Sequence, residues 1–300
     1  MNKVIIWGLL NKRHSHRYIH QGYFESFKRM GHDVIWVDDS MKNQKLLKGK
    51  SLIFAANMAS EFLINNPANL YVTHNIEDRN FKEAENVLRL QVKTVDSKGD
   101  PLDDSVALYD NRTRTLFQPW GIPESEDTWL SATQNPGKTE YWIGSIWNNS
   151  LNQGNTEAIS DFRFACEDIG FKLKRVGGTR WITKNGISSA KAFSYVNQSP
   201  IGAAIVGQWQ KKNGYLPCRI FKNVAAGMIP SSNSDMSSIF GDIGVFNSNI
   251  AELVTHVSSL SPKEKYNRTK SAQEKILAYK YESGIGRILK VIDQDYYFIK

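Results

Sequence analysis

Apolar residues along the chain come either in short unbroken blocks or at helical spacing, and the two patterns alternate. "KVIIWGLL" at 3–10 is an apolar run of strand length. "YIHQGYFESFKRMG" at 18–31 spaces its apolar residues as an amphipathic helix does and closes on Gly31, and "HDVIWVDD" at 32–39 is a second strand-like run. "SLIFAAN" at 51–57 and "NLYVTHN" at 69–75 predict two more strands. Repeated βα units imply a parallel sheet covered by helices on both faces, with functional loops at the carboxyl ends of the strands. Those ends carry His14, His16, Asp38, Asp39, Asn57, His74 and Glu77.

The pattern breaks at 118–138, "QPWGIPESEDTWLSATQNPGK", whose three prolines, three acidic residues and polar turn formers have the composition of a connector between domains. A second series follows it. "EYWIGSIW" predicts a strand, "TEAISDFRFACEDIG" a helix ending at Gly170, "FKLKRVGG" a strand running into a glycine pair, and "IGAAIVGQW" a further strand. A helix over "CRIFKNV", a strand and turn over "AAGMIPSSN" and terminal helices from Asn249 complete the series. The expected architecture is α/β, with two similar Rossmann-like halves facing across a cleft.

Composition narrows the class. Three hundred residues with 41% hydrophobic content fit two medium cores better than one. No run of eighteen apolar residues occurs, and "MNKVIIWGLL" passes at once into "NKRHSHR", so the expectation is a first buried strand in a cytoplasmic protein rather than a signal peptide. Cys166 and Cys218 stand in unrelated contexts with no C-x-x-C, which argues against a disulfide framework or a zinc site. The formal charge of +8 points to an anionic partner, whether a nucleotide, a phospholipid surface or a nucleic acid.

One stretch, "NGYLPCRIFKNVAAGMIPSSNSD" at 213–235, sets two cations, Arg219 and Lys222, on an apolar helical frame that opens at Pro217. The first free amides and the positive dipole end of such a helix favour an anion. A buried helix with two snorkelling cations is the other reading. Two glycine-containing turns, "GSIW" at 144–147 and "VGGTR" at 176–180, could approach the same anion or serve only as tight connections.

The segment "CRIFKNVAAGMIPSS" resembles the donor domain of glycosyltransferases with the GT-B fold, which carry a basic residue, Leu-Phe-Glu-Ala, a small-small-Gly step and Val/Ile-Pro. "DMSSIFGDIGVFNSNIAELVTHVSSLSPKEKYNRTKSAQEKI" is similar to their run through an acidic turn, a strand and paired helices. In the first half the likeness rests on Gly22 through "RMGHDVIWVDD". The resemblance implies an acceptor-side domain at 1–120, a linker at 121–138, a nucleotide-sugar domain at 139–280, and a final segment, 281–300, packing back on the first domain.

It also implies a chemistry. A nucleotide-sugar donor leaves a diphosphate, whose growing charge must be met by a metal or by cations and helix amides. The resemblance puts Arg219 at the position that meets the diphosphate, has Gly144 and Ser145 face the cleft and sets Gly207 and Gln208 near the nucleotide base; Gly177, from the second glycine turn, is a further donor-binding candidate. Lys222 departs from the family, because it stands where many members have a glutamate that accepts from the ribose hydroxyls, and a lysine cannot accept them. The only D-x-D, Asp293 to Asp295, lies five residues from the carboxyl end, so no metal is expected in donor binding and no cofactor beyond the nucleotide sugar.

On the acceptor side, "NKRHSHRYIH" sets three histidines just after the first strand, and an imidazole there could deprotonate an acceptor hydroxyl. His16 is the first candidate, with Asp39, His74 and Glu77 as rivals; solvated loop residues are the alternative. The expected function is transfer of a sugar to a hydroxyl on a glycan, a lipid-linked glycan or a modified DNA base, with the basic surface serving an anionic or carbohydrate acceptor at a peripheral membrane face or on DNA. A non-catalytic, two-lobed nucleotide-binding protein is the rival from another class.

Overall fold

The computed structural model describes residues 3–11, 16–76, 78–93, 98–103, 105–176 and 187–296. In chain order the first elements are β1 (Val4–Trp7), α1 (His16–Arg29), β2 (Val34–Val37), β3 (Leu52–Ala56), β4 (Leu70–His74), α2 (Arg79–Lys82), β5 (Val87–Gln91), β6 (Asp100–Pro101), β7 (Leu108–Asp110) and β8 (Thr115–Phe117). They are followed by β9 (Thr139–Ile143), α3 (Thr156–Asp168), β10 (Lys172–Val176), α4 (Ser189–Asn197), α5 (Gln208–Lys212) and α6 (Cys218–Ala225). The last are β11 (Ser231–Ser232), β12 (Val245–Phe246), α7 (Ile250–Ser259), α8 (Pro262–Ile276) and α9 (Tyr281–Asp295). Two compact units divide the chain, Met1–Pro123 with Lys280–Lys300, and Glu124–Tyr279.

The first unit is built on one sheet of order β2-β1-β3-β4-β5-β8-β7-β6. Its strands pair in parallel from β2 to β8, in register Val4 with Val34 and Val4 with Leu52, and β7 and β6 close the edge antiparallel. β1, β3 and β4 are buried along their whole length, which is why they read as unbroken apolar runs rather than alternations. β2 and β3 flank β1, so the order reverses there, and the crevice outside the carboxyl ends at that reversal is where sheets of this kind take ligands.

On one face Ile5, Trp7, Ile53 and Tyr71 form the core; on the other Tyr23 packs on Phe54 at 4.5 Å and on Tyr281 of α9 at 4.9 Å. Gly22 permits that approach of α1 to α9, since a Cβ there would lie 2.5 Å from the Tyr281 ring and 2.9 Å from Pro123. Gln118, Trp120 and Ile122, at the head of the proline-containing stretch, are buried in this unit.

In the second unit β9 and β10 pair in parallel, as do β11 and β12. Trp142, Ile159, Phe162, Ile205, Leu253 and Val257 share one core. The strand expected over "IGAAIVGQW" does not form: residues 201–207 are buried, but Gly202 turns with φ +65°, only Ala204 among them makes a ladder bridge, to Ser232, and Gln208 and Trp209 open α5 instead. Side chains take the place of the missing ladder. The Glu140 carboxylate accepts from the amides of Ile201 and Gly202, Asn223 donates to Gly202 O, and Asn233 both accepts from Val206 N and donates to Val206 O. Buried backbone must be paired, and here the partners are polar side chains that an apolar run does not announce.

Candidate functional site

The helix expected from Pro217 is present: Pro217 is the N-cap of α6, and Arg219 stands in its first turn. Arg219 does not run out to solvent. Its guanidinium carbon lies 3.6 Å from the centre of the Trp142 ring, and Nη2 donates to Ile143 O at 2.9 Å. The stack and the bond fix the guanidinium at the carboxyl end of β9, against Gly144. Only glycine fits at 144, because its φ is +139° and a Cβ would come within 2.1 Å of Arg219 Nη2.

Burial pulls Arg219 down to about 10, so it stays charged at neutral pH, and no carboxylate pairs with it among the described residues. A part-buried cation held by a ring face and a carbonyl dipole, with no carboxylate partner among the described residues, retains donors for an anion. Lys222 stands one turn further along α6; burial lowers its pKa, while Cys218 and Glu124 oppose the shift.

The loop after β9 is tied down by Asn155. Its Oδ1 accepts from Trp147 N at 3.0 Å and its Nδ2 donates to Ser145 O at 3.2 Å. Gly154 and Gly207 interlock with that loop, since a Cβ on Gly154 would lie 1.9 Å from Trp147 O and one on Gly207 1.9 Å from Gly154 O. The second unit thus gathers Gly144, Ser145, Gly207 and Arg219 around one loop cluster, with Asn155 and Asn233 as its braces. Gly177 lies outside the described residues.

In the first unit the carboxyl ends of β3 and β4 open on a small cavity of about 20 Å³, lined by His16, His20, Tyr23, His74 and Trp120 among others. His16 and His74 stack with centroids 5.5 Å apart, and His74 meets Trp120 edge-on at 4.7 Å. His74 is 7% exposed, and desolvation lowers it to about 4, so it is neutral at working pH. Since Leu90 O can only accept, His74 Nδ1 carries the proton toward it at 3.1 Å and Nε2 is the acceptor, facing Asn75 Nδ2 at 3.3 Å. His20, which the chain pattern did not single out as a base, directs Nδ1 to Gly8 O at 3.2 Å.

Asp39 belongs to a different arrangement. Its Oδ1 accepts from Trp7 Nε1 and Phe62 N and its Oδ2 from Glu61 N, so its lone pairs brace the turn at 61–62. Asp38 accepts from Asn11. His14 and Glu77 lie outside the described residues. No group of three or more His, Cys, Asp or Glu side chains gathers as a metal cage among the described residues. None of the helices there is long and apolar enough to cross a membrane.

Solved structures similar over nearly the whole chain share this arrangement of elements. An alpha-glucosyltransferase in complex with UDP and a 13-mer DNA containing a central A:G mismatch superimposes with a TM-score of 0.60 at 13% identity, covering 99% of each chain. A further alpha-glucosyltransferase complex, with UDP and a 13-mer DNA containing a HMU base, gives 0.61 at 11% identity over 97% of this chain and 99% of the other. An E. coli structure of trehalose-6-phosphate bound with UDP-2-fluoro glucose gives 0.62 at 8% identity with the same coverage.

The chain has the GT-B fold. No protein-family model and no curated protein sequence matches it. Identities of this size carry the GT-B architecture and leave the chemistry to the residues in place. Trp142 and Trp120, which flank Arg219 and His74, were illegible beforehand because each acts through a partner distant in sequence.

Proposed function

We propose that this chain transfers a glycosyl group from a nucleotide-sugar donor to a hydroxyl acceptor, with a uridine diphosphate sugar as the donor class to test first. The observation that carries the reading is Arg219, a part-buried guanidinium with no carboxylate partner among the described residues, pressed on Trp142 beside a glycine whose place no Cβ could share. The UDP bound in the similar structures supports the choice of base.

In the transfer the acceptor oxygen bonds to the anomeric carbon, the bond from that carbon to the diphosphate breaks, and the diphosphate leaves with the electron pair. Arg219 meets the charge that develops on it, Lys222 adds a second positive charge nearby, and the protein's own cations rather than a metal are proposed to bear this role. The acceptor proton passes to a base, for which the histidine pocket of the first unit supplies His16, its ring stacked on the neutral His74.

Thermal unfolding with a panel of nucleotide sugars tests the binding step. A ligand at about a hundred times its Kd adds about 2.7 kcal/mol and raises Tm visibly. Donor hydrolysis without acceptor tests the chemistry. If no nucleotide sugar shifts Tm the reading fails, and binding with neither hydrolysis nor transfer establishes the two-lobed binding protein instead.

A further inference from the structure

The crossover from β2 to β3 is a 3₁₀ helix, Met41–Lys48, long for its kind. With three residues per turn, positions three apart eclipse one another and the helix has three ridges. Leu47 is buried, and Leu46 and Asn43 are half-buried, with Asn43 Nδ2 donating to Asp38 O and Gln44 Nε2 to Phe62 O. The remaining ridge is Lys42, Lys45 and Lys48, all exposed, and Lys50 follows it, also exposed. These four ammonium groups make no hydrogen bond or ion pair among the described residues.

We propose that the row Lys42, Lys45 and Lys48 tracks the phosphate backbone of a nucleic acid, which makes nucleic acid the carrier of the acceptor group. A rise of about 2 Å per residue separates successive lysines by about 6 Å and gives the row a span of about 12 Å. That step is of the order of the separation between neighbouring phosphates along one strand, so the three lysines can meet about three consecutive phosphates, within the play of their side chains. Three unpaired cations in line on a surface of net charge +8 complement a linear polyanion.

A lipid surface fits less well, because the apolar side chains of this helix other than Met41 turn toward the core and leave no broad face to enter a bilayer interface. The inference rests on the transferase reading only in naming the acceptor; the binding itself stands or falls separately.

The test is fluorescence anisotropy of a labelled duplex oligonucleotide with the full chain, without nucleotide sugar, from about 50 to 200 mM salt. Lys42→Gln/Lys45→Gln/Lys48→Gln is compared with a charge-matched variant of exposed lysines on α8, Lys263→Gln/Lys270→Gln/Lys275→Gln. Loss of three phosphate contacts makes the slope of log K against log[salt] shallower by about 2.7, and weakens binding on the order of 10²-fold near 0.1 M salt. The α8 variant keeps the slope.

No oligonucleotide binding by the wild type, equal losses in both variants, or row-dependent binding to phosphatidylserine vesicles without binding to DNA each overturns the proposal. Donor hydrolysis is measured in parallel and stays unchanged in the row variant. A wild type that binds DNA through the row yet never hydrolyses a donor removes the transferase reading and leaves the phosphate track in place.

Discussion

Replacing Arg219 with alanine removes a guanidinium that two contacts hold in one orientation, the stack on Trp142 at 3.6 Å and the bond to Ile143 O at 2.9 Å. A pre-oriented guanidinium spends little side-chain entropy on binding, so its hydrogen bonds to phosphate should realise the charge-assisted range of about 1.5–3 kcal/mol. At about 1.4 kcal/mol per tenfold, Arg219→Ala should weaken uridine diphosphate by roughly 10- to 150-fold. Arg219→Lys keeps the charge but loses the planar fork and most of the stack, and should fall between.

Titration calorimetry with uridine diphosphate, uridine monophosphate and uridine separates phosphate recognition from base recognition. The loss should be largest for the diphosphate and absent for the nucleoside. Without ligand the alanine variant should unfold at or above the wild-type Tm, because a desolvated cation without a carboxylate adds little to stability. An equal loss for uridine and its diphosphate, or no loss at all, refutes the assignment of Arg219 to the diphosphate.

Three further outcomes are expected. His16→Ala should lower turnover by at least about tenfold while nucleotide affinity stays at the wild-type level, since a general base contributes on the order of 10²- to 10⁴-fold and water replaces part of it; normal turnover would move the search for the base elsewhere. Burial pushes Glu140 up to about 7, so the folded chain holds this proton more tightly than the unfolded one, and the stability it contributes is complete below about pH 4.5 and lost as pH rises toward 7. Glu140→Gln should remove that fall, about 3 kcal/mol at most, read by chemical denaturation at several pH values; His74, held low, contributes with the opposite sign between about 4 and 6.5, so the variant and not the wild-type slope is decisive. Gly22→Ala forces a methyl to within 2.5 Å of the Tyr281 ring and should cost about 1–3 kcal/mol, and a variant melting with the wild type would show that α1 and α9 can part freely.

The alternation of strand and helix, the start of α6 at Pro217 and the placement of Asp39 and His74 at the ends of β2 and β4 follow from the sequence alone, whereas His16, expected in the loop after β1, opens α1. Each is a local property: hydrophobic period, a proline with fixed φ, a run bounded by turn residues. What those residues do was decided by contacts that close only when the units fold. Arg219 and Ile143 are 76 positions apart, and no period in either segment announces that the guanidinium turns back on the end of β9.

His74 reads as an ordinary strand-end imidazole until Trp120 closes over it and removes the water that would stabilise its charged form. Asp39 reads as a candidate base until Trp7, Glu61 and Phe62 are seen to occupy its oxygens. The apolar run at 201–206 correctly foretold burial but not its backbone partners, because burial depends on the segment's own hydrophobicity. Its pairing depends on Glu140, Asn223 and Asn233, polar residues on other elements that only the packed chain brings to it.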